Sequence, residues 1–349
     1  MKRRLVVSAL VVVAFVLFVA VRCDRRRPGD AFAAQPNEPV GAGIVRLDLR
    51  FPCGSSTCAG WLYLPPDGGA PPVVVMAHGF AGTRDVGLAS IAEHFARNGI
   101  AAFAFDYRSF GASGGLPRQL VDPWQQLDDW RAALAFVRAR HDVGGDRVAL
   151  WGSSLGAGHA LVVASEDHNL RAVVAQAPLI DTAVEGEATF YGALWAARLV
   201  LTGWADLVVS AFGGDPIRLA AIARPGEFGM IIDDAAYAAF ERLVPSGSTY
   251  RNAVAARSIF MFDDYNPATH AARISAPVLL IASRTDRFAP FSAVQAYADR
   301  AQNVSVETFD GDHFDVYSPP AVTHAADAAA RFLKARLQRN QAPDARLGR

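Results

Sequence analysis

Short apolar runs that alternate with helical patterns constrain the fold of this 349-residue chain more than any other feature. The segments between the runs repeat their apolar residues with the helical period, as at 85–98, where Leu88 and Phe95 share one face. Continuous apolar runs separated by helices are typical of a mostly parallel sheet covered by helices, so the sequence predicts an α/β fold. The runs lie at 73–77, 100–105, 148–151, 172–175, 278–281 and 304–309, and the other helical patterns at 123–140, 155–164, 291–301 and 320–337.

The alternation stops between the fourth and fifth runs, at about 181–272. This segment is far longer than the crossover between two parallel strands requires, so we predict an insertion. Its stretch 190–212 is rich in Leu, Trp, Val and Ala, but Arg198 and Asp206 make it too polar for a comfortable membrane span. We expect a helical lid over a pocket. A packed extra layer without a gating role is the alternative.

The first 27 residues have the pattern of a membrane-targeting segment. Basic residues at 2–4 precede an uninterrupted apolar run at 5–21, and arginines follow it. A small-residue site at 31–34 lies about ten polar residues beyond the run, farther than cleaved signal peptides usually place it. We therefore expect a membrane anchor, with a cleaved signal peptide as the alternative. Either implies a membrane-anchored or exported protein. Arginines on both sides of the run leave the positive-inside rule undecided on orientation, and we expect the main domain to lie outside the cytoplasm.

The remaining chain divides into three parts. A proline-rich linker is predicted at 28–41, one large domain at 42–338 with the insertion inside it, and a flexible polar tail at 339–349. The main domain is long enough to bury a large core, since 52% of the chain is hydrophobic.

The cysteines carry some information about the compartment. Cys53 and Cys58 bracket a short polar stretch between two strand-like runs at 44–51 and 59–64. A disulfide at the tip of this hairpin would suit an oxidising location, whereas two unpaired surface thiols are the alternative. A zinc site would need further Cys or His ligands at suitable spacing, and the sequence shows none.

The charge composition excludes some classes of binding partner. The chain carries 34 basic and 34 acidic residues and no basic stripe with interleaved aromatic residues, which argues against nucleic acid. A small molecule is the expected partner. Lys2 and Lys334 are the only lysines and lie near the ends, which argues against a Ser/Lys catalytic pair.

Two serines match the pattern G-x-S-x-G, but only one has the surroundings of a nucleophile. Ser154 follows the apolar run at 148–151, has Gly152 and Gly156 on either side, and precedes a helical pattern. A sharp strand-to-helix turn of this kind presents a hydroxyl for attack on a carbonyl carbon. Ser113 is separated from its preceding strand and is followed by Leu-Pro, which predicts a glycine-rich loop.

Five stretches together resemble the alpha/beta-hydrolase superfamily. They are VVVMAHGF from Val73, DYRSFGASGG from Asp106, GSSLG from Gly152, SRTDRFAP from Ser283 and GDHFDVY from Gly311. The match covers about 44–338 apart from the insertion, and within the superfamily it is similar to bacterial serine hydrolases related to prolyl oligopeptidases and dienelactone hydrolases. Because this fold hosts many chemistries, the resemblance does not identify a substrate.

The resemblance implies a triad in the order Ser, acid, His. His313, just after the last predicted strand, is at the position of the base that takes the proton of Ser154. Asp286, in the loop after the run at 278–281, is at the position of the carboxylate that orients the histidine. The rival acids Asp310, Asp312 and Asp315 are interpreted as loop residues. His78 and Asp106 are interpreted as structural, and His159 as a packed or solvated residue of the helix after Ser154.

Two backbone amides are expected to hold the oxyanion. Leu155 supplies one as the residue after the nucleophile, and the resemblance of the HGF turn assigns the other to Phe80. No metal or organic cofactor is implied. The expected substrate is a small-molecule ester or amide.

The predicted reaction is acyl transfer to water, in a carboxylesterase that acts on a small or medium acyl ester. A peptidase or amidase like the prolyl oligopeptidase relatives is the first alternative, although those often carry a propeller domain for which about 40 N-terminal residues leave no room. An acyltransferase and a non-catalytic binding protein are the others.

Overall fold

The computed structural model describes residues 40–181 and 192–338. In this part of the chain, strands and helices alternate as predicted. The strands are β1 (Val45–Cys53), β2 (Ser56–Leu64), β3 (Pro72–Ala77), β4 (Ala101–Phe105), β5 (Gly144–Ser153), β6 (Ala172–Gln176), β7 (Arg218–Ala223), β8 (Gly229–Ile232), β9 (Val254–Ala255), β10 (Val278–Ser283) and β11 (Val304–Phe309). The α-helices are α1 (Leu88–Arg97), α2 (Pro123–Arg138), α3 (Leu155–Ala164), α4 (Gly192–Ala211), α5 (Asp234–Leu243), α6 (Phe291–Arg300) and α7 (Ala321–Leu337).

Eight strands form one mixed sheet in the order β1-β2-β4-β3-β5-β6-β10-β11. The pairs β1–β2 and β2–β4 are antiparallel, and the other neighbouring strands pair in parallel. The predicted mostly parallel sheet is therefore confirmed, with an antiparallel hairpin at one edge. The carboxyl ends of the parallel strands meet along one side of the sheet, where ligands of such folds bind.

Helices bury both faces of the sheet. Val75 of β3 belongs to one core cluster together with Trp130 of α2, and Val74 belongs to the opposite cluster together with Phe95 of α1. Every residue of β3 is consequently buried. This explains why the sequence shows a continuous apolar run there instead of an alternating pattern.

The predicted central strands and covering helices are all present, with shifted ends. The first helix begins at Leu88 instead of 85, directly after Gly87, which takes φ 78°. A residue with left-handed φ cannot be part of a right-handed helix. The helix therefore begins only after Gly87, and residues 85–87 remain a loop.

The disulfide is formed. Cys53 and Cys58 pair at the tip of the β1–β2 hairpin, with 5.7 Å between their Cα atoms, and both side chains are fully buried. The alternative of two unpaired surface thiols is therefore wrong.

The insertion is not a purely helical lid, so that part of the prediction is wrong. We call residues 192–266 of the insertion the cap. Besides α4 and α5, the cap contains a three-stranded sheet in the order β8-β7-β9. The sequence conceals this sheet because its strands are short and because a side chain replaces part of the pairing: Asn252 accepts from the amide of Ile222 at 2.9 Å and donates to its carbonyl at 2.7 Å.

The cap is bonded to the main domain at separate points. The Gln119 side chain donates to the Ala253 carbonyl at 2.9 Å, and the Ala255 amide donates to the Gln119 carbonyl at 2.7 Å. The Thr249 amide donates to the Asp85 carboxylate at 2.8 Å. These contacts make the cap a packed layer, as in the alternative above. A gating role stays a prediction.

Helix α4, in the predicted apolar stretch, is long and apolar enough to cross a membrane by length and composition, and among the described residues it is alone in this. It packs in the cap through the fully buried Asp206, whose carboxylate accepts from the Ile217 amide at 2.8 Å and the Arg257 guanidinium at 2.7 Å. A buried ion pair of this kind holds the helix against the chain that follows it.

Three predicted segments fall outside the description. The membrane segment 1–27, residues 28–39 of the linker and the tail 339–349 lie beyond the described residues. The domain boundaries there stay predictions.

Candidate active site

Ser154 occupies the turn between β5 and α3, with φ 55° and ψ −121°. A positive φ at a non-glycine residue costs on the order of 1–3 kcal/mol and persists only where the surroundings impose it. A Cβ added at Gly152 would lie 2.2 Å from the Gly156 carbonyl oxygen, and one added at Gly156 would lie 2.3 Å from the His78 carbonyl oxygen. The glycine spacing around Ser154 is thus a steric requirement of this turn.

The structure brings the three predicted triad residues together. His313 Nε2 lies 3.0 Å from Ser154 Oγ, and His313 Nδ1 lies 2.7 Å from Asp286 Oδ2. Ser154 follows β5, Asp286 follows β10 and His313 follows β11, so three strand ends on one edge of the sheet supply the side chains. Both distances are within hydrogen-bond reach for a nucleophile, its base and the group that orients the base.

The Asp286 carboxylate fixes the tautomer of His313. A carboxylate only accepts hydrogen bonds, so Nδ1 carries the proton and Nε2 presents its lone pair to the Ser154 hydroxyl. The other carboxylate oxygen, Oδ1, accepts from the amides of Phe288 at 2.8 Å and Ala289 at 2.7 Å. Asp286 and His313 are 8% and 4% exposed, which keeps water from competing for these bonds.

The predicted oxyanion donors flank Ser154. Leu155 is the first residue of α3, so its amide has no acceptor within the helix and lies at the positive end of the helix dipole. The turn with Phe80 lies against the nucleophile, since a Cβ added at the preceding Gly79 would be 2.8 Å from Ser154 Cβ. Phe80 and Leu155 both line the cavity described next.

A cavity of about 310 Å³ opens over Ser154 and His313. The cap supplies its roof with apolar side chains only: Ile222, Met230, Ile231, Phe240, Leu243, Ile259 and Phe262. The main domain adds the apolar Val86, Leu88, Leu179, Phe288 and Phe314, together with Tyr317. No Asp, Glu, Lys or Arg lines the cavity among the described residues. Its walls therefore favour an uncharged, apolar group.

The other buried histidines have structural partners. Burial lowers the pKa of His78 to about 4, and its Nδ1 lies 2.9 Å from the Gly79 carbonyl oxygen. Burial likewise lowers the pKa of His159 to about 3, and this ring bonds to Gln126 at 2.9 Å and Tyr265 at 2.8 Å. Both rings are neutral at neutral pH and lie in packed surroundings, as the sequence predicts.

The second G-x-S-x-G match is a structural loop. Ser113 Oγ donates to the Asp106 carbonyl at 2.7 Å and accepts from the Ala59 amide at 2.8 Å. Burial raises the pKa of Asp106 to about 6, opposed by Arg84, whose amide donates to it at 2.7 Å. Ser113 and Asp106 thus tie the loop after β4 to the hairpin.

Of the rival acids, Asp312 and Asp315 act in the turn that carries His313. The Asp312 carboxylate accepts from the His313 amide at 2.8 Å, and Asp315 accepts from the Asp312 amide at 2.7 Å. Asp310 is exposed.

Sequence reasoning missed two residues near the triad, Arg287 and Tyr317. Arg287 bonds Asp312, and the Tyr317 hydroxyl shares a hydrogen bond with Ser153 Oγ. Both lie inside the stretches that carry the family resemblance, which is the signal that would have pointed to them.

One group of side chains has the spacing of metal ligands but not the chemistry. Cys53, Cys58 and Asp129 lie close together. The two cysteines are joined in the disulfide, and only a thiolate binds a metal ion. The Asp129 carboxylate instead binds Arg108, whose amide and Nε donate to it at 2.8 and 2.7 Å.

Comparison with known proteins identifies the family of this chain. The family model described as Serine aminopeptidase, S33 matches residues 70–313. Among curated proteins, the Quorum-quenching protein AidA of Acinetobacter baumannii is 35% identical over 82% of this chain and 94% of its own length. A protein named Thiohydrolase from Eupenicillium brefeldianum is 26% identical over 83% of this chain and 94% of its own length.

Solved structures share the fold. The alpha/beta hydrolase GrgF from Penicillium matches with a TM-score of 0.73 at 24% identity and covers 84% of this chain and 99% of its own. The family match, together with this fold, confirms the predicted superfamily, whereas the nearer kinship with prolyl oligopeptidases and dienelactone hydrolases stays a prediction. The chain belongs to the Serine aminopeptidase, S33 family of the alpha/beta-hydrolase superfamily.

Proposed function

We propose that this protein is a serine hydrolase that cleaves carboxylic esters with an apolar acyl group through an acyl-enzyme on Ser154. The observation that carries the proposal is the hydrogen-bonded series from Asp286 through His313 to Ser154, which opens into the apolar cavity under the cap. An aligned base and orienting acid are what a serine hydroxyl needs in order to react, because alone it is a weak nucleophile.

In the proposed mechanism, His313 Nε2 takes the hydroxyl proton while Ser154 Oγ bonds to the ester carbonyl carbon. The amides of Phe80 and Leu155 hold the negative oxygen, each contributing about two to three powers of ten in rate. The intermediate collapses, and the alcohol leaves with the proton from His313. Water then gives a proton to His313 and attacks the acyl carbon, and the released Ser154 regains that proton as the carboxylic acid departs.

The cavity lining supports an ester over a peptide. The family description names an aminopeptidase, so a peptidase or amidase is the alternative. A substrate with a free α-amino group would bring an ammonium ion next to Ser154, and a buried charge without a partner is costly. The lining offers it no carboxylate among the residues the structure describes.

A thioester is a second candidate substrate, because the relative named Thiohydrolase spans most of the chain. The proposed acyl-enzyme chemistry is the same for either leaving group. Matched oxoesters and thioesters of one acyl group, followed by release of the alcohol or thiol, distinguish the two.

The test is a panel of p-nitrophenyl esters with acyl chains of increasing length beside aminoacyl p-nitroanilides. We expect kcat/KM to rise by up to about fourfold per added CH₂ until the cavity is filled, since each buried CH₂ contributes about 0.8 kcal/mol. Ser154→Ala is the control for background hydrolysis. Anilide turnover above ester turnover would replace the esterase by the peptidase.

A fluorophosphonate probe separates an enzyme from a non-catalytic binding protein. Labelling of the wild-type protein that disappears in Ser154→Ala supports the enzyme. A folded wild-type protein that neither labels nor hydrolyses any member of the panel would leave only the binding protein.

We further propose that the hydrolase domain lies outside the cytoplasm, attached to the membrane or exported. The disulfide between Cys53 and Cys58 supports an oxidising compartment, and the apolar run at 5–21 supports targeting to the membrane. Cell fractionation combined with thiol alkylation before and after reduction tests both points. Reduced cysteines in a cytoplasmic fraction would contradict them.

A further inference from the structure

Arg287 bonds two segments that lie beside the triad acid and base. It follows Asp286 directly in the chain. Its Nε donates to Asp312 Oδ2 at 2.5 Å, and its Nη1 and Nη2 donate to the two oxygens of Asp233 at 2.7 and 3.3 Å. One guanidinium thus links the loop after β10 to two other segments.

The first link reaches the loop that carries His313. Asp312 precedes His313, and its Oδ1 accepts from the Arg287 amide at 3.0 Å and from the His313 amide at 2.8 Å. Because Arg287 Nε also donates to Oδ2, both oxygens of the Asp312 carboxylate join the loop of Asp286 to the loop of His313. The separation of the two loops sets the 2.7 Å contact between Asp286 and His313.

The second link reaches the cap. Asp233 is the N-cap of α5 and accepts from the Ala236 amide at 2.7 Å, so its position is fixed by the helix. The same helix places Phe240 and Leu243 in the roof of the cavity. The Arg287 guanidinium therefore connects the helix that carries the roof to the loops that carry Asp286 and His313.

The charges of Arg287 and Asp233 favour a stable ion pair between them. Burial raises the pKa of Asp233, but the hydrogen bonds and positive charge of Arg287, together with the amides at the start of α5, hold the pKa below its ordinary value. Hydrogen bonds to Asp233 and Asp312 in turn raise the pKa of Arg287. The pair of Arg287 with Asp233 consequently stays charged at neutral pH.

We propose that Arg287 is a positioning residue that sets the geometry of Asp286 and His313 and makes it depend on the cap through Asp233. This rests on the proposed function of the triad. Arginine suits the role because its planar fork reaches two carboxylates at once, whereas the single ammonium of lysine binds as a point charge.

The experiment compares Arg287→Ala, Arg287→Lys and Asp233→Asn with the wild-type protein on the best ester of the panel. A displacement of about 1 Å in a reacting group can cost on the order of 100-fold in rate, so we expect Arg287→Ala to lower kcat by about 10- to 100-fold. KM is expected to stay within about threefold, because the cavity lining is unchanged. Arg287→Lys should recover part of the loss, and Asp233→Asn should lose about three- to tenfold.

Arg284→Ala is the matched control. Arg284 lies in the same loop, is exposed, and stacks on the Phe291 ring instead of bonding the cap. Its replacement removes the same charge at nearly the same place. Wild-type kcat is expected.

Two measurements separate positioning from general destabilisation. The rate of fluorophosphonate labelling should fall with kcat in Arg287→Ala, and guanidinium ion added at a concentration far below denaturing levels should restore part of it. The Arg287 side chain is 37% exposed, so its ion pairs stabilise the fold only weakly and the melting temperature should change little.

The outcomes are distinct. Wild-type protein without labelling or turnover refutes the proposed function. An active wild-type protein with kcat and labelling rate unchanged in Arg287→Ala refutes the role of Arg287. Unchanged kcat in Asp233→Asn refutes its dependence on the cap.

Discussion

At the scale of single residues, two serines share one sequence pattern in different surroundings. Ser154 Oγ bonds His313, whereas Ser113 Oγ bonds the backbone of Asp106 and Ala59. Ser154→Ala is expected to lower kcat by several powers of ten. Ser113→Ala should instead leave a buried Ala59 amide without its acceptor and lower the free energy of unfolding by about 1–3 kcal/mol.

Turnover assays and urea unfolding of both variants check this pair. Each variant is the control for the other, because the substitution is the same. Loss of turnover in a folded Ser113→Ala protein would show that the second loop takes part in the reaction.

Gly156, two residues after the nucleophile, gives a second prediction at the scale of single residues. A Cβ at Gly156 would clash with the His78 carbonyl, which belongs to the turn that precedes Phe80. Gly156→Ala should therefore displace that turn, lower kcat by at least about 100-fold and destabilise the fold by about 1–3 kcal/mol.

Gly144→Ala is the comparison, since its Cβ would meet only the end of the flexible Arg147 side chain. Ester turnover and thermal unfolding are the measurements. Full activity in Gly156→Ala would mean that the turn tolerates movement at the oxyanion site.

At the scale of elements, the disulfide secures the hairpin at the edge of the sheet. The bond between Cys53 and Cys58 closes a short loop, and chain entropy gives it about 2 kcal/mol of stability. The double variant Cys53→Ser/Cys58→Ser should lose that amount of unfolding free energy and keep its kcat, since both residues lie outside the cavity lining.

Guanidinium unfolding with and without a reductant measures the effect. Reductant should destabilise the wild-type protein and leave the double variant unchanged. Equal stability of the two oxidised proteins would show that the bond contributes nothing.

The elements also differ in how far the sequence determines them. β3 is a continuous apolar run because both its faces are buried, so its pattern is visible without the structure. β9 has two residues, and its neighbour β7 is held by the side chain of Asn252, which sequence periodicity cannot reveal. The predicted helical lid was therefore an incomplete description of the insertion.

At the scale of the whole molecule, buried histidines make stability depend on pH. Burial lowers the folded-state pKa of His78 to about 4 and of His159 to about 3, from 6.5. Below pH 6.5 the unfolded chain binds protons that the folded protein does not. The contribution of these two histidines to the unfolding free energy should therefore be fully present above pH 6.5 and fall as the pH decreases towards 4, by up to about 1.4 kcal/mol per pH unit for each histidine.

His159→Gln should lower the slope of unfolding free energy against pH by the contribution of one proton, about 1.4 kcal/mol per pH unit. Urea unfolding between pH 6.5 and about 5 measures this slope, because most carboxylates titrate below that range. His141→Gln, at an exposed histidine, is the control. An unchanged slope in His159→Gln would mean that His159 is protonated in the folded protein.

The family resemblance pointed to Asp286 and His313, whereas the sequence pattern by itself determined the order of the main-domain strands and helices and the turn at Ser154. These features are local: burial on both faces, a helical period and the space allowed by Gly152 and Gly156 each leave a mark within a few residues of the chain. The tertiary structure alone decided that Arg287 bonds both Asp312 and the cap residue Asp233, and that cap side chains roof the cavity. Such contacts join segments about 25 to 54 residues apart, and their geometry depends on packing that no local pattern records.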